Sequence, residues 1–339
     1  MGRNIHCTYI SEKINKIRWR PNPFNDPKQF VTGSWDNDEN HIRLWEVKGF
    51  EEDTDINPFE INVLPFDGDV TELKCVNPDY LIATSNEGKV YLIKIATNIT
   101  EEICLSHEIV WDDAHQGMPC TSFAVYDKDI ATVGEDGRIN LLSIMNKAPT
   151  RVIDDADSCT VNCVEFLKFN ELITGNSRGQ MKIWDLRADE EKASQIFMLS
   201  GDSIVAATCL AQHPTQRHLT AAGDEHGSIT LWDLRQNTYP LNVMTSHTES
   251  VTEVQFHPDR PEHIFSCGQA GDVFHWSGIK QGACEESAWY TSTTNKYDIF
   301  MLMPQLHTTI NSIDLNRDRL LCGSDNEAMY MIEGVNIYS

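Results

Sequence analysis

One phrase recurs along this chain and limits its fold more than any other feature. It consists of a β-compatible run, a small residue, a polar turn, and alternating apolar residues that often end in tryptophan. The phrase is written seven times, from Phe30 to Trp45, Leu81 to Ile93, Ile130 to Leu142, Leu172 to Trp184, Leu219 to Trp232, Ile264 to Trp276 and Leu320 to Met331. Successive final residues lie 42 to 55 positions apart. That spacing is close to the roughly 40–45 residues of a four-stranded propeller blade, with surplus for loops.

Each phrase is divided by a tight turn, such as Ser85-Asn-Glu-Gly88, Gly134-Glu-Asp-Gly137 or Gly268-Gln-Ala-Gly271, in which glycine supplies the positive φ of a hairpin. Ahead of each phrase stands another alternating segment. An example is Thr252 to Phe256, closed by His257-Pro258. The unit is therefore three antiparallel strands with a fourth beyond, and no stretch sustains the 3.6-residue period of a helix. In Ile229-Thr-Leu-Trp232, Ile229 and Leu231 point one way and Trp232 the other, the pattern of a sheet covered on both faces. Radial stacking of blades provides that cover, whereas a two-layer sandwich leaves one face wet. The expectation is an all-β, seven-bladed β-propeller forming one domain over residues 1–339. Little chain follows Met331, while Ile5 to Ile10 is β-compatible and precedes a first blade that begins near Ile14. The N-terminal segment is thus predicted to be the outermost strand of the last blade, closing the ring and covering an exposed edge.

Composition narrows the function. With 27 Lys plus Arg against 51 Asp plus Glu, the formal charge is −24, which repels phosphate backbones and anionic headgroups. Neither direct nucleic-acid binding nor membrane insertion is expected. The basic cluster Lys13, Lys16, Arg18 and Arg20 reads as the solvated side of a strand. The ten cysteines are scattered without a C-x-x-C pair and read as reduced, buried apolar residues. Cys159 and Cys163 would lie about 13 Å apart on one strand face, too far to share an ion, so no metal or cofactor is expected. The polar start from Met1 to Ser11 and the absence of any ~18-residue apolar run predict a soluble intracellular chain. There is no G-x-S-x-G, H-E-x-x-H or P-loop pattern, and no enzyme is expected. Asp36 and Asp136 read as caps in hairpin turns. Trp45, Trp184, Trp232 and Trp276 read as core.

Trp184-Asp185-Leu186-Arg187 and Trp232-Asp233-Leu234-Arg235 carry a resemblance to the WD-repeat family. That family often places a Gly-His pair before a blade, its histidine bonded to a turn aspartate. Here His115 and His247 remain, and Gly68-Asp69, Asp157-Ser158 and Gly201-Asp202 stand elsewhere, so the bonded set is not expected in most blades. Within the family the chain resembles the WD-repeat nucleoporins of the Y-shaped outer-ring scaffold of the nuclear pore. The phrases concerned are Lys16-Ile-Arg-Trp-Arg-Pro21, Thr32-Gly-Ser-Trp-Asp-Asn37, Thr132 to Leu141, Asp154-Asp-Ala-Asp-Ser158, Leu199-Ser-Gly-Asp202 and His257-Pro258 with Pro261 to Phe265. From Gly278 onward less of it is visible. The resemblance implies a non-enzymatic scaffold subunit at the nuclear envelope. Its partners would be other nucleoporins, attachment would be to an α-helical solenoid subunit, and in animals it would also occur at kinetochores in mitosis. The paired W-D-x-R endings also resemble propellers that serve as substrate receptors of cullin-RING ubiquitin ligases, in which the arginine contacts an adaptor. Arg187 and Arg235 could equally pair with a neighbouring carboxylate.

Three insertions, 46–67, 96–117 and 277–306, break the compact spacing, and binding residues favour such loops on a rigid frame. The third holds Trp289, Tyr290, Tyr297, Phe300, Met301 and Met303, and aromatics are over-represented at interface hot spots. A competing reading makes Phe300 to Met303 the outer strand of blade six. The partner-contact candidates are Trp289, Tyr290, Tyr297, Arg187 and Arg235.

Overall fold

The computed structural model describes residues 4–48, 57–99, 101–188, 191–200, 204–236, 238–278 and 297–335. Among these residues there are twenty-eight strands in seven four-stranded antiparallel sheets and no helix. Blade six shows the plan: Val251–Phe256, His263–Gly268, Val273–Gly278 and Tyr297–Met301 pair in chain order. The innermost strand of each blade touches those of its two neighbours, and Ile310–Asn316 of blade seven touches Ile14–Trp19 of blade one, so the circle is complete. Asn4–Tyr9 pairs antiparallel with Ala328–Glu333, and the predicted closure of the last blade by the N-terminal strand is what forms.

The core is divided among the junctions between blades. Among the described residues seven apolar clusters are present, one per junction. The cluster between blades five and six joins Leu219, Ile229 and Leu231 to Val254, Ile264 and Trp276, and the closing one joins Ile14, Ile17 and Trp19 to Leu321, Met329 and Met331. This is why the third strands are apolar on both sides. Trp232 and Trp276 retain only 2% and 1% of their exposure, and each such side chain contributes on the order of 2–3 kcal/mol by leaving water.

The small residue in the repeated phrase has a packing reason. A Cβ added to Gly33 would lie 2.6 Å from Val70, and one on Gly323 would lie 2.6 Å from Ile14, each the first residue of the next blade's innermost strand. Only hydrogen fits there. The following residue of every innermost strand is skipped in the pairing register, a β-bulge that turns its side chain toward the next blade. These seven residues form a girdle. Asn15, Thr71, Thr121, Asn162, Thr208, Thr252 and Asn311 donate in turn to the carbonyls of Val70, Cys120, Val161, Ala207, Val251, Ile310 and Ile14. The last of these bonds, at 3.0 Å, brings the circle back to blade one.

Two expectations are corrected here. Insertions 46–67 and 96–117 each supply the outermost strand of a blade, because Asn40–Lys48 pairs with Asn57–Phe66 and Val90–Thr97 with Ile103–Trp111. Ile61, Leu64, Ile95, Ile103 and Leu105 lie along these hairpins and share the cluster between blades one and two. The basic cluster is also misplaced by the sequence reading. Ile14–Trp19 is an innermost strand, so Lys16 and Arg18 line the axial channel, their side chains only 12% and 11% exposed.

Candidate protein-interaction sites

The antiparallel blades give the ring two unlike faces. One carries the links between blades and the turns between second and third strands. It is strongly acidic, with Asp36, Asp38, Glu39, Asp112, Asp113, Glu135, Asp154 and Asp155 among its residues. The opposite face carries the hairpins between first and second and between third and fourth strands, and large apolar side chains stand out from it. Phe24, Phe169 and Tyr239 are 90%, 63% and 77% exposed. The first face repels anionic partners, and the second offers aromatic anchors of the kind found at interfaces.

On the acidic face the turns are held by buried polar sets. In blade six His247 Nδ1 meets Asp272 Oδ1 at 2.6 Å, His247 Nε2 meets Ser266 Oγ at 2.7 Å, and Trp276 Nε1 donates to the same hydroxyl at 2.8 Å. Blade three has His115 between Asp136 and Thr132, both at 2.9 Å, but Leu142 stands where the tryptophan would be. Other blades use different chemistry for the same task. Asp157 in the link before blade four pairs with Lys182 at 2.7 Å and accepts from Asn176 at 2.8 Å. Asp69 accepts from Asn40 and Asn86, both at 2.9 Å. The sequence reading registered these acids only as departures from the Gly-His pattern, since their partners lie in other strands. Asp136 caps the Arg138 N–H at 3.1 Å as expected. Asp36 does not act as a cap: its own N–H donates to Asp69 at 2.8 Å, and its carboxylate pairs with Lys13 on the surface.

On the hairpin face Arg187 and Arg235 each fold back on the aspartate two residues earlier. Arg187 donates to Asp185 at 3.0 and 2.8 Å and holds that carboxyl down to about 2, while Arg235 donates to Asp233 at 2.9 and 2.6 Å. Both guanidinium groups remain largely exposed, side by side on blades four and five. Of the blade-six candidates, Trp289 and Tyr290 lie outside the described residues. Tyr297 opens the outermost strand and packs against the cluster between blades five and six, where burial pushes its phenol up. Phe300 and Met301 end that strand half-exposed, and Met303, 4% exposed, is core between blades six and seven and not a surface anchor.

Along the axis runs a channel of about 590 Å³. Arg18 reaches Glu72 and Glu253, each at 2.9 Å, and Lys16 reaches Glu72 at 3.2 Å. Asp314 accepts the Trp19 N–H at 2.6 Å, and burial, outweighing the attraction of Arg18, pushes its carboxyl up to about 6. A carboxyl raised above its unfolded value near ~3.9 opposes folding while charged, and that opposition fades as the pH falls through about 6 toward ~4. Asp314→Asn is therefore expected to raise the thermal midpoint by a few degrees at pH 8, corresponding to at most roughly 3 kcal/mol. The gain should shrink to nothing by about pH 4, and thermal melts across that range check it.

These features define the class: a closed WD-repeat propeller whose blades carry polar turn sets and whose rims are left for contacts. Comparison with known proteins agrees, since the family described as WD domain, G-beta repeat, matches residues 238–277, the stretch that contains the His247, Ser266, Asp272 and Trp276 set. At full length the chain is 34% identical to nucleoporin Nup43 of Homo sapiens and 33% identical to that of Mus musculus, each alignment covering 96% of this chain and 98% of the relative. It is 25% identical to the nuclear pore complex protein nup43 of Dictyostelium discoideum over 98% of this chain and all of the relative. The chain belongs to the Nup43 family of nucleoporins.

Proposed function

We propose that this chain works as a non-enzymatic scaffold subunit of the nuclear pore complex at the nuclear envelope, bound into the Y-shaped outer ring through an α-helical solenoid nucleoporin. The observation that carries this reading is the end-to-end match to Nup43, spread over all seven blades and not confined to one repeat. The rims support it. Apolar and aromatic side chains exposed on a rigid ring suit protein contact, and Arg187 and Arg235 share their face with Phe169 and Tyr239 on the same two blades. Trp289, Tyr290 and Tyr297 complete the proposed partner contacts.

Mixing the purified full chain with a purified solenoid subunit of the outer ring tests this directly. Size-exclusion chromatography with light scattering should give a one-to-one complex, and two separate species would reject the pairing. Replacing Trp289 and Tyr290 together by Ala should weaken capture at least ~10-fold, the effect of one or two hot-spot side chains, with the thermal midpoint unchanged. Capture at wild-type strength would remove these residues from the contact.

The side-by-side exposure of Arg187 and Arg235 also favours a second reading, a substrate receptor of a cullin-RING ligase. Under it, Arg187→Ala with Arg235→Ala would abolish binding of a cullin adaptor. Under the scaffold reading the wild-type chain binds no such adaptor, and the double variant leaves folding stability nearly unchanged, because exposed ion pairs contribute little.

A further inference from the structure

Six of the seven junctions between blades are crossed directly by the chain as it leaves one outermost strand and enters the next innermost one. The junction between blades seven and one differs. It is crossed only at residues 10–13, and only because Asn4–Tyr9 is paired into blade seven. Among the described residues that strand is the sole covalent tie there, and its residues are exposed or half-exposed. At the other radius of the same junction, around the axis, polar bonds are concentrated. Arg18 Nη1 donates to Ser312 Oγ at 2.7 Å and to the Ile313 carbonyl at 3.1 Å, while its other arm meets Glu72 of blade two and Glu253 of blade six. The Ile17 and Trp19 N–H groups donate to Ser312 and Asp314 of blade seven. One guanidinium thus ties four consecutive blades, two on either side of the closure, with every arm bonded to a partner.

We infer that Arg18 and its partners form the axial clasp of the ring, holding blade seven to blade one so that the N-terminal strand can release at the rim without the circle opening. A planar fork with five donors suits this task, whereas a lysine at the same place offers one point charge and reaches fewer partners. A buried cluster of this kind adds little to net stability but penalises every arrangement in which its members part, so its effect should be local.

Hydrogen exchange on the full chain reads that locality. In the wild type, amides of Asn4–Tyr9 should exchange at least ~100-fold faster than those of Ile14–Trp19 and Ile310–Asn316, since local openings span free energies from near zero to the global value. Arg18→Met should bring the latter two strands to within ~10-fold of the N-terminal strand, with the innermost strands of blades three to five unchanged. Arg18→Lys, which keeps the charge and so preserves folding if Arg18→Met does not, should raise exchange in the same two strands by about 10-fold. Exchange that rises equally in all seven blades, or that stays within twofold of wild type in Ile14–Trp19 and Ile310–Asn316 for either folded variant, overturns the clasp.

Discussion

Deletion of residues 1–9 is expected to lower the thermal midpoint by roughly 3–6 °C. The strand makes six cross-strand pairs with Ala328–Glu333, each contributing ~0.2–1 kcal/mol. A loss of ~3 kcal/mol, against an unfolding entropy of ~2.1 cal/mol/K per residue over 339 residues, moves the midpoint by ~4 °C. The deletion also bares the edge of Ala328–Glu333, whose Met329, Tyr330 and Met331 are buried in the intact ring, so concentration-dependent association should appear together with the lower midpoint. Differential scanning calorimetry at two concentrations measures both effects. An unchanged midpoint would mean that the strand's pairing adds no stability to the ring.

Loss of the buried acid in blade six should be equally damaging. Asp272 is 3% exposed and meets His247 at 2.6 Å, and His247 in turn is bonded to the hydroxyl that receives Trp276. Asp272→Ala strands a buried imidazole N–H and loosens the turn between the second and third strands, a loss of about 3 kcal/mol. Asp36→Asn is the control, because Asp36 lies between the same two strands of its blade, asparagine tolerates its left-handed φ of 52°, and its carboxylate is 63% exposed. It should change stability by less than ~0.5 kcal/mol. If chemical denaturation finds the two variants alike, the buried sets are not what holds these turns.

How far the residues foretold this arrangement depends on whether a pattern is local. The seven phrases, their glycine turns and the two-sided apolar third strands are short-range signals, and each became part of a blade. Closure by the N-terminal strand followed from counting strands at the two ends of the chain. What stayed hidden lies between blades. The girdle from Asn15 to Asn311 depends on a bulge that shifts one residue in each innermost strand, and an alternating pattern does not reveal which residue is skipped. Lys16 and Arg18 looked like a solvated stripe because alternation cannot tell an innermost strand facing a narrow channel from one facing water. The hairpins within 46–67 and 96–117 looked like loops because spacing alone does not separate a long strand pair from an insertion. For the candidate contacts, the sequence signalled that Arg187 and Arg235 were paired positions on neighbouring blades. Their shared face with Phe169 and Tyr239 needed the ring.

Quantitative affinity purification of the full chain from cell extract tests most directly whether the closed circle of blades serves as a subunit among other nucleoporins. A stoichiometric set of outer-ring nucleoporins, with neither cullin nor adaptor at comparable abundance, is the predicted result. Recovery of the chain alone, or with a cullin and its adaptor in place of that set, would contradict it.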